Sequence, residues 1–219
     1  MRGLAFDVSH LLAGGLVLVS FLLLYQDRLY ALLNVYSLQA VVLSLSVAWQ
    51  AYVQDADHLY VTAFIAFAFK AIIVPVALHR VIADLGIQRD VENVVGVGRT
   101  MLAGLALVAL SEVVMLRIAG ADVLAREDLA FALSVVLLGM LMMVVRRNAV
   151  SMVVGFMSLE NGLILAAAGA KGMPLVVEVS VAFSVLVALV VIGVFLFRIS
   201  ERFETVDAHA LDRFRGDQR

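Results

Sequence analysis

The sequence predicts an all-α protein, a polytopic membrane helix bundle of about seven transmembrane helices, and three observations support this class. Hydrophobic residues make up 63% of the 219 residues, charged residues only 16%, and the mean hydropathy is +1.04. A soluble domain has about 45–50% apolar and about 25% charged residues. The apolar residues also form runs long enough to cross a hydrocarbon layer of about 30 Å. These runs lack the alternating pattern of a membrane β-strand. They are therefore predicted to be helices, which form all of their backbone hydrogen bonds internally within lipid.

The composition also excludes several functions. So apolar a chain is neither a soluble enzyme nor a disordered segment. The absence of cysteine removes disulfides and iron–sulfur ligation from this chain. A net charge of -2 gives no indication of nucleic-acid binding. The four histidines are not at metal-ligand spacing on any one helix, so no metal site is expected.

Seven long, predominantly apolar runs are the predicted spans: 9–25, 30–53, 58–82, 100–118, 128–145, 150–170 and 174–197. The first run follows Arg2 and Asp7 and has no small-residue cleavage site after Leu24, so we expect a retained helix rather than a signal peptide. The spans divide into a four-helix N-terminal region, 1–118, and a three-helix C-terminal region, 119–197. Residues 198–219 form a charged tail.

Basic residues predict the orientation, because Lys and Arg are enriched in cytoplasmic loops. The segments after spans one, three, five and seven carry eleven of them: Arg28, Arg80, Arg89, Arg99, Arg146, Arg147, Arg198, Arg202, Arg213, Arg215 and Arg219. The opposite side carries four: Arg2, Arg117, Arg126 and Lys171. The N-terminus is therefore predicted outside and the C-terminus in the cytoplasm.

Two segments are predicted to lie outside the membrane. Residues 84–99 form a predicted cytoplasmic loop; its Gly96-Val97-Gly98 lacks the third glycine and the βαβ context of a dinucleotide-binding motif. The tail is either a solvated helix end or a docking segment for a cytoplasmic partner.

Four ionisable residues lie within the predicted spans: Lys70, Glu112, Glu160 and Glu178. Each costs about 2.5–3.5 kcal/mol at the bilayer centre on insertion scales, so such residues are usually paired or functional. Lys70 is twelve positions after His58, and Glu160 is twelve after Asn148. At 1.5 Å per residue both lie about 18 Å deep, near the midplane. Glu178 and Glu112 are predicted nearer the outer face, where Glu112 could pair with Arg117.

Local sequence supports a functional region around the two deep charges. Pro75 cannot donate to Ala71, which weakens the helix one turn after Lys70 and suggests a hydrated site or a partner carboxylate. Glu160 is followed by Asn161, and Gly155, Ser158 and Gly162 of the same helix form a stripe of small residues that lets helices approach closely. Span two adds uncharged hydrogen-bonding residues that are compatible with a wet channel: Asn34, Ser37, Gln39, Ser44 and Ser46. The candidate proton path is therefore Lys70, Glu160, Glu178, Glu112, Gln39 and Asn161; a buried ion pair that only fixes packing is the alternative.

Two resemblances extend this prediction. The stretch from Arg146 to Gly155 resembles the start of the second helix in the K subunit of respiratory complex I and in the C subunit of multisubunit sodium/proton antiporters. That family carries a functional glutamate one turn before Glu160, where this chain has Met157. A shift of three residues keeps a carboxylate on nearly the same helix face.

The whole chain more closely resembles hydrogenase-4 component E, a membrane subunit of formate hydrogenlyase-type group 4 hydrogenases. The matching stretches are Tyr36 to Leu43, Phe69 to Pro75, Arg147-Asn148, Glu160-Asn161-Gly162, Val177-Glu178, and Val206-Asp207 to Leu211. The resemblance implies a non-catalytic subunit of an oxidoreductase complex in the bacterial or archaeal inner membrane. Nickel–iron and iron–sulfur centres would lie on partner subunits, beside antiporter-like membrane subunits. Ser184 replaces a carboxylate that the family places in the last span.

Three functions follow as hypotheses. The chain contributes to proton translocation in a hydrogenase-like complex; or it is a structural adaptor of the membrane arm without a transport role; or it is a subunit of a cation/proton antiporter. The replacements at Met157 and Ser184 favour the adaptor, and the buried charges favour proton transfer.

Overall fold

The computed structural model of the chain describes residues 2–85, 95–117 and 123–169, and the regular elements in these ranges are helical. The first half contains α1 Arg2–Tyr25, α2 Leu29–Gln54, α3 Asp57–Ala66, a π-helical segment Phe67–Ile73 (the π segment), and α4 Val74–Leu85. The second half contains α5 Val97–Arg117, α6 Val123–Val145 and α7 Ala149–Gly169. Because α3, the π segment and α4 follow one another without a break, they form one long helix.

Six helical stretches in the described ranges are long and apolar enough to cross a membrane: Phe6–Tyr25, Leu29–Gln54, Asp57–Arg80, Val97–Arg117, Glu127–Val145 and Ala149–Gly169. They match the first six predicted spans, so the all-helical class is confirmed. The seventh predicted span and the tail lie outside the described residues. The predicted loop 84–99 is too long at both ends, since α4 continues to Leu85 and α5 begins at Val97.

Helix α2 lies at the centre of the bundle, where it packs against α1, α3, the π segment, α4 and α7. The hairpin of α1 and α2 packs against the hairpin of α6 and α7, and α5 covers α1 and α6 from outside. Leu102, Leu105 and Leu116 of α5 are more than 60% exposed, as expected of a helix that faces lipid. The centre of the bundle is therefore the region most shielded from lipid.

Contacts between helix ends show which turns share a side of the bundle. Gln54, at the end of α2, donates to the backbone oxygen of Ala168 at the end of α7, at 2.8 Å. At the other end, Arg146 after α6 reaches the end of α1. The helices thus alternate in direction as the sequence predicts, and the assignment of one side to the cytoplasm remains a prediction.

The small-residue stripe on α7 packs directly on the backbone of α6, as predicted. A Cβ atom added at Gly139 of α6 would lie 2.5 Å from the backbone nitrogen of Leu159 and 2.8 Å from the oxygen of Gly155. One added at Gly162 would lie 2.8 Å from the nitrogen of Val136. Only glycine permits this close approach between α6 and α7.

Candidate functional site

The two deep charges form an ion pair in the bundle interior. The Lys70 Nζ atom lies 3.1 Å from Oε2 of Glu160, and the two side chains are only 1% and 4% exposed. Lys70 lies near the middle of its span and Glu160 near the middle of α7. The structure therefore places the lysine and the glutamate at one level, as their positions in the sequence predict.

Asn161 connects this ion pair to α2. Its Oδ1 atom accepts a hydrogen bond from Lys70 Nζ at 2.8 Å, and its Nδ2 atom donates to Oε1 of Gln39 at 3.1 Å. Asn161 and Gln39 are both fully buried. The ammonium thus has one charged and one neutral partner, and the orientation of the Asn161 amide is fixed from both sides.

Gln39 carries the hydrogen-bond chain onward to two serines. Its Nε2 atom donates to Oγ of Ser20 on α1 and to Oγ of Ser158 on α7, each at 2.8 Å. Ser20 in turn donates to the backbone oxygen of Leu16 at 2.8 Å. We call the connected set the polar cluster; its members are Ser20, Gln39, Lys70, Ser158, Glu160 and Asn161. The sequence predicted the four larger members as site residues and Ser158 as part of the small-residue stripe, but it gave no indication of Ser20.

The backbone around Lys70 departs from α-helical geometry. The π segment spans Phe67–Ile73, and the amide of Val74 donates to the oxygen of Phe69, five residues earlier. Pro75 accounts for the wider turn, because its ring lacks an amide hydrogen and clashes with the carbonyl four residues before it. Short π-helical turns are frequent at functional sites. The sequence predicted a weakened helix here, but not the π register.

The polar cluster is chemically suited to holding and exchanging one proton. An ammonium and a carboxylate at 3.1 Å are within the distance at which a proton is passed directly. Asn161 accepts from the Lys70 ammonium and donates to Gln39, and Gln39 donates to Ser20 and Ser158, so this chain of hydrogen bonds holds the ammonium in position. The pair carries no net charge, which lowers the penalty of keeping it inside the membrane.

Of the other two predicted carboxylates, only Glu112 is within the described residues, and it does not join this cluster. Glu112 is half-buried on α5, which packs against α6 and α1. Its suggested partner Arg117 is exposed at the end of the same helix, and no ion pair joins the two. Glu178, like Ser184, lies outside the described residues. Met157 is fully buried on the same side of α7 as Glu160, consistent with the predicted shared face.

Arg146 is a buried residue that the sequence indicated only as a loop charge. It is 3% exposed, and its Nη2 atom donates to the backbone oxygens of Leu23 at 3.3 Å and of Leu24 and Gln26 at 2.8 Å. These carbonyls have no partner within α1 because the helix ends there. Burial lowers the pKa of Arg146, while the nearby charge of Asp27 acts in the opposite direction. Arg146 therefore caps α1 and joins the two hairpins.

The helices and the polar cluster define a class: a multi-pass helical membrane protein with an ion pair buried among its spans. The chain is 31% identical over 210 residues to the uncharacterized protein Rv0085 of Mycobacterium tuberculosis, a match that covers 93% of this chain and 94% of that protein. The chain therefore belongs to the same family as Rv0085. No family model matches the chain, and no solved structure matches it.

Proposed function

We propose that the chain is an integral membrane subunit of a group 4 respiratory complex, similar to hydrogenase-4 component E, and that its polar cluster takes part in proton translocation. The observation that carries the proposal is the buried Lys70–Glu160 pair, linked by hydrogen bonds to α1, α2 and α7. The proposed location is the bacterial or archaeal cell membrane, with the N-terminus outside.

The energetics of buried charge support a functional role for the pair. Replacing a buried ion pair with well-packed apolar residues of similar volume is often neutral or stabilising by about 1–4 kcal/mol. Stability alone therefore gives little reason to keep a lysine and a glutamate that are both nearly inaccessible. Ionisable groups inside membrane bundles commonly lie on proton or ion pathways.

The proposed complex supplies what this chain lacks. With no cysteine in the sequence, the chain has no thiolate for an iron–sulfur cluster. Electron transfer would take place on partner subunits that carry nickel–iron and iron–sulfur centres. This chain would lie among the membrane subunits, including antiporter-like ones, and would have no catalytic centre of its own.

A structural adaptor is the second candidate, and the closed geometry of the polar cluster favours it. The Lys70 ammonium is enclosed by Glu160 and Asn161 and is almost inaccessible. A pair of this kind can specify how helices pack without moving a proton. The two candidates differ in one measurable respect, because only the first requires the charges for transport.

The test starts from the complex that contains the full chain. The chain is purified in mild detergent, the co-purifying polypeptides are identified, and proton translocation per transferred electron pair is measured in membrane vesicles. Lys70→Met and Glu160→Gln are expected to lower this ratio severalfold while the subunit composition stays unchanged. Ser44→Ala is the matched control, since buried Ser44 donates to the backbone oxygen of Ala40 within α2 and has no other hydrogen bond among the described residues.

Two outcomes would decide against the proposal. Normal proton translocation in both charge variants would leave the structural adaptor as the remaining candidate. Co-purification with transporter subunits alone, together with sodium-dependent transport, would identify an antiporter subunit instead of a member of a hydrogenase-like complex.

A further inference from the structure

Two short turns at one end of the bundle carry three arginines. Residues 26–28 join α1 to α2, and residues 146–148 join α6 to α7. The two turns are in contact, because Arg146 donates to the backbone oxygen of Gln26 at 2.8 Å. Arg28 and Arg147 are exposed in the same turns, whereas Arg146 is buried. We call residues 26–28 and 146–148 together the arginine site.

The positive charge of the arginine site is only partly balanced within the two turns. They contain three arginines and one acidic residue, Asp27, which gives a net charge of +2. The hydrogen-bond partners of Arg146 are neutral backbone oxygens, and its Nε and Nη1 atoms have no hydrogen-bond partner among the described residues. Buried charges in proteins are usually paired, so this guanidinium favours a further anion at the site.

The helix ends at the arginine site add to its positive potential. Both α2 and α7 begin here, and the N-terminus of a helix carries the equivalent of about half a positive charge. Asn148 caps α7 by accepting a hydrogen bond from the amide of Val150 at 2.8 Å, but no side chain caps α2. The first turn of α2 therefore offers backbone donors next to Arg28, and such donors bind phosphate oxygens.

The arginine site lies at the boundary of the membrane. Each of its turns joins two of the stretches that are long enough to cross the bilayer, so the site is level with the lipid headgroups. The opposite end of α2 carries acidic residues instead, since Asp55 and Asp57 are exposed there. Basic sites between membrane helices bind acidic lipid headgroups, which are the anions present at this level.

We propose that the arginine site binds the headgroup phosphate of an anionic phospholipid. Arg28 is two residues from Gln26 and Arg147 follows Arg146, so the two exposed guanidinium groups contact the phosphate from adjacent turns. The buried Arg146 holds the turns together and contributes its charge from below. The bound lipid then joins the hairpin of α1 and α2 to the hairpin of α6 and α7. This inference goes beyond the proposed function and does not depend on it.

The test is native mass spectrometry of the full chain in detergent, titrated with phosphatidylglycerol or with phosphatidylcholine. The wild type is expected to bind phosphatidylglycerol more tightly, because phosphatidylcholine has the same phosphate but no net charge. Arg28→Gln and Arg147→Gln alter exposed side chains, so the fold should be retained. Each is expected to raise the Kd for phosphatidylglycerol about fivefold, the contribution of one arginine near an anionic lipid surface. The double variant should raise it roughly twenty-five-fold and remove the preference over phosphatidylcholine.

Arg117→Gln is the matched control, because Arg117 is an exposed arginine at the end of α5, on the opposite side of the bundle. Its Kd for phosphatidylglycerol is expected to equal that of the wild type. An unchanged Kd in the double variant, or an equal rise in Arg117→Gln, would overturn the proposed site. Displacement of phosphatidylglycerol by an equal concentration of inorganic phosphate would show that the site takes free phosphate, and would overturn the lipid assignment. None of these measurements involves proton transport, so a failure of the proposed function leaves them unaffected.

Discussion

Removal of the Lys70 charge is expected to destabilise the bundle far more than removal of both charges together. Lys70→Met deletes the 3.1 Å contact to Glu160 and the 2.8 Å hydrogen bond to Asn161. Glu160 is only 3% exposed, so its carboxylate would remain buried without its cation. Breaking a buried pair from one side costs about 3–5 kcal/mol, and we expect a loss of this size in the free energy of unfolding.

The double variant Lys70→Met/Glu160→Gln removes both charges and is expected to unfold within about 1–2 kcal/mol of the wild type. The coupling between the two positions should therefore exceed about 2 kcal/mol, near the upper end for residues in direct contact. The assay is reversible unfolding of the full chain in mixed detergent micelles. The control is Ser44→Ala, which removes only a hydrogen bond within α2.

Additive losses in the double variant would refute this reasoning. Such a result would mean that Lys70 and Glu160 each contribute to stability independently, and that the 3.1 Å contact carries no energy of its own. A loss below about 1 kcal/mol for Lys70→Met would refute it as well, because a buried carboxylate cannot lose its cation at so small a cost.

Two further predictions concern packing. Gly139→Ala should lower stability by about 1–3 kcal/mol or more, since the added carbon would lie 2.5 Å from the backbone nitrogen of Leu159. Gly14→Ala is the control, because its added carbon meets no atom nearer than 4.0 Å. Equal effects of the two substitutions on the melting temperature would contradict the close packing of α6 on α7. Arg146→Lys should cost roughly 1.5–3 kcal/mol, because a single ammonium replaces the planar guanidinium that donates to three carbonyls of the α1 end. An unchanged unfolding midpoint for this variant would show that the cap is not required.

The helices and the level of the charges could be predicted from sequence because both depend on counting along one chain. Apolar length determines whether a segment can cross the membrane, and the rise per residue gives the depth of Lys70 and Glu160. Asn161 was predictable by its position next to Glu160. These features require no knowledge of which helices are neighbours.

The remaining members of the site depend on how the helices pack. Ser20 joins the polar cluster only because α1 presents that position to Gln39 on α2. Arg146 resembles any loop arginine until the end of α1 is placed beside it. Hydrogen bonds between residues more than a hundred positions apart leave no local pattern.

The most direct test of the central claim is proton translocation by the complex that carries the double variant Lys70→Met/Glu160→Gln. This variant removes the ion pair without leaving a single buried charge, so assembly and stability should stay close to those of the wild type. Our account predicts an assembled complex whose proton translocation per electron pair falls at least severalfold. An assembled complex that translocates protons at the wild-type ratio would contradict it.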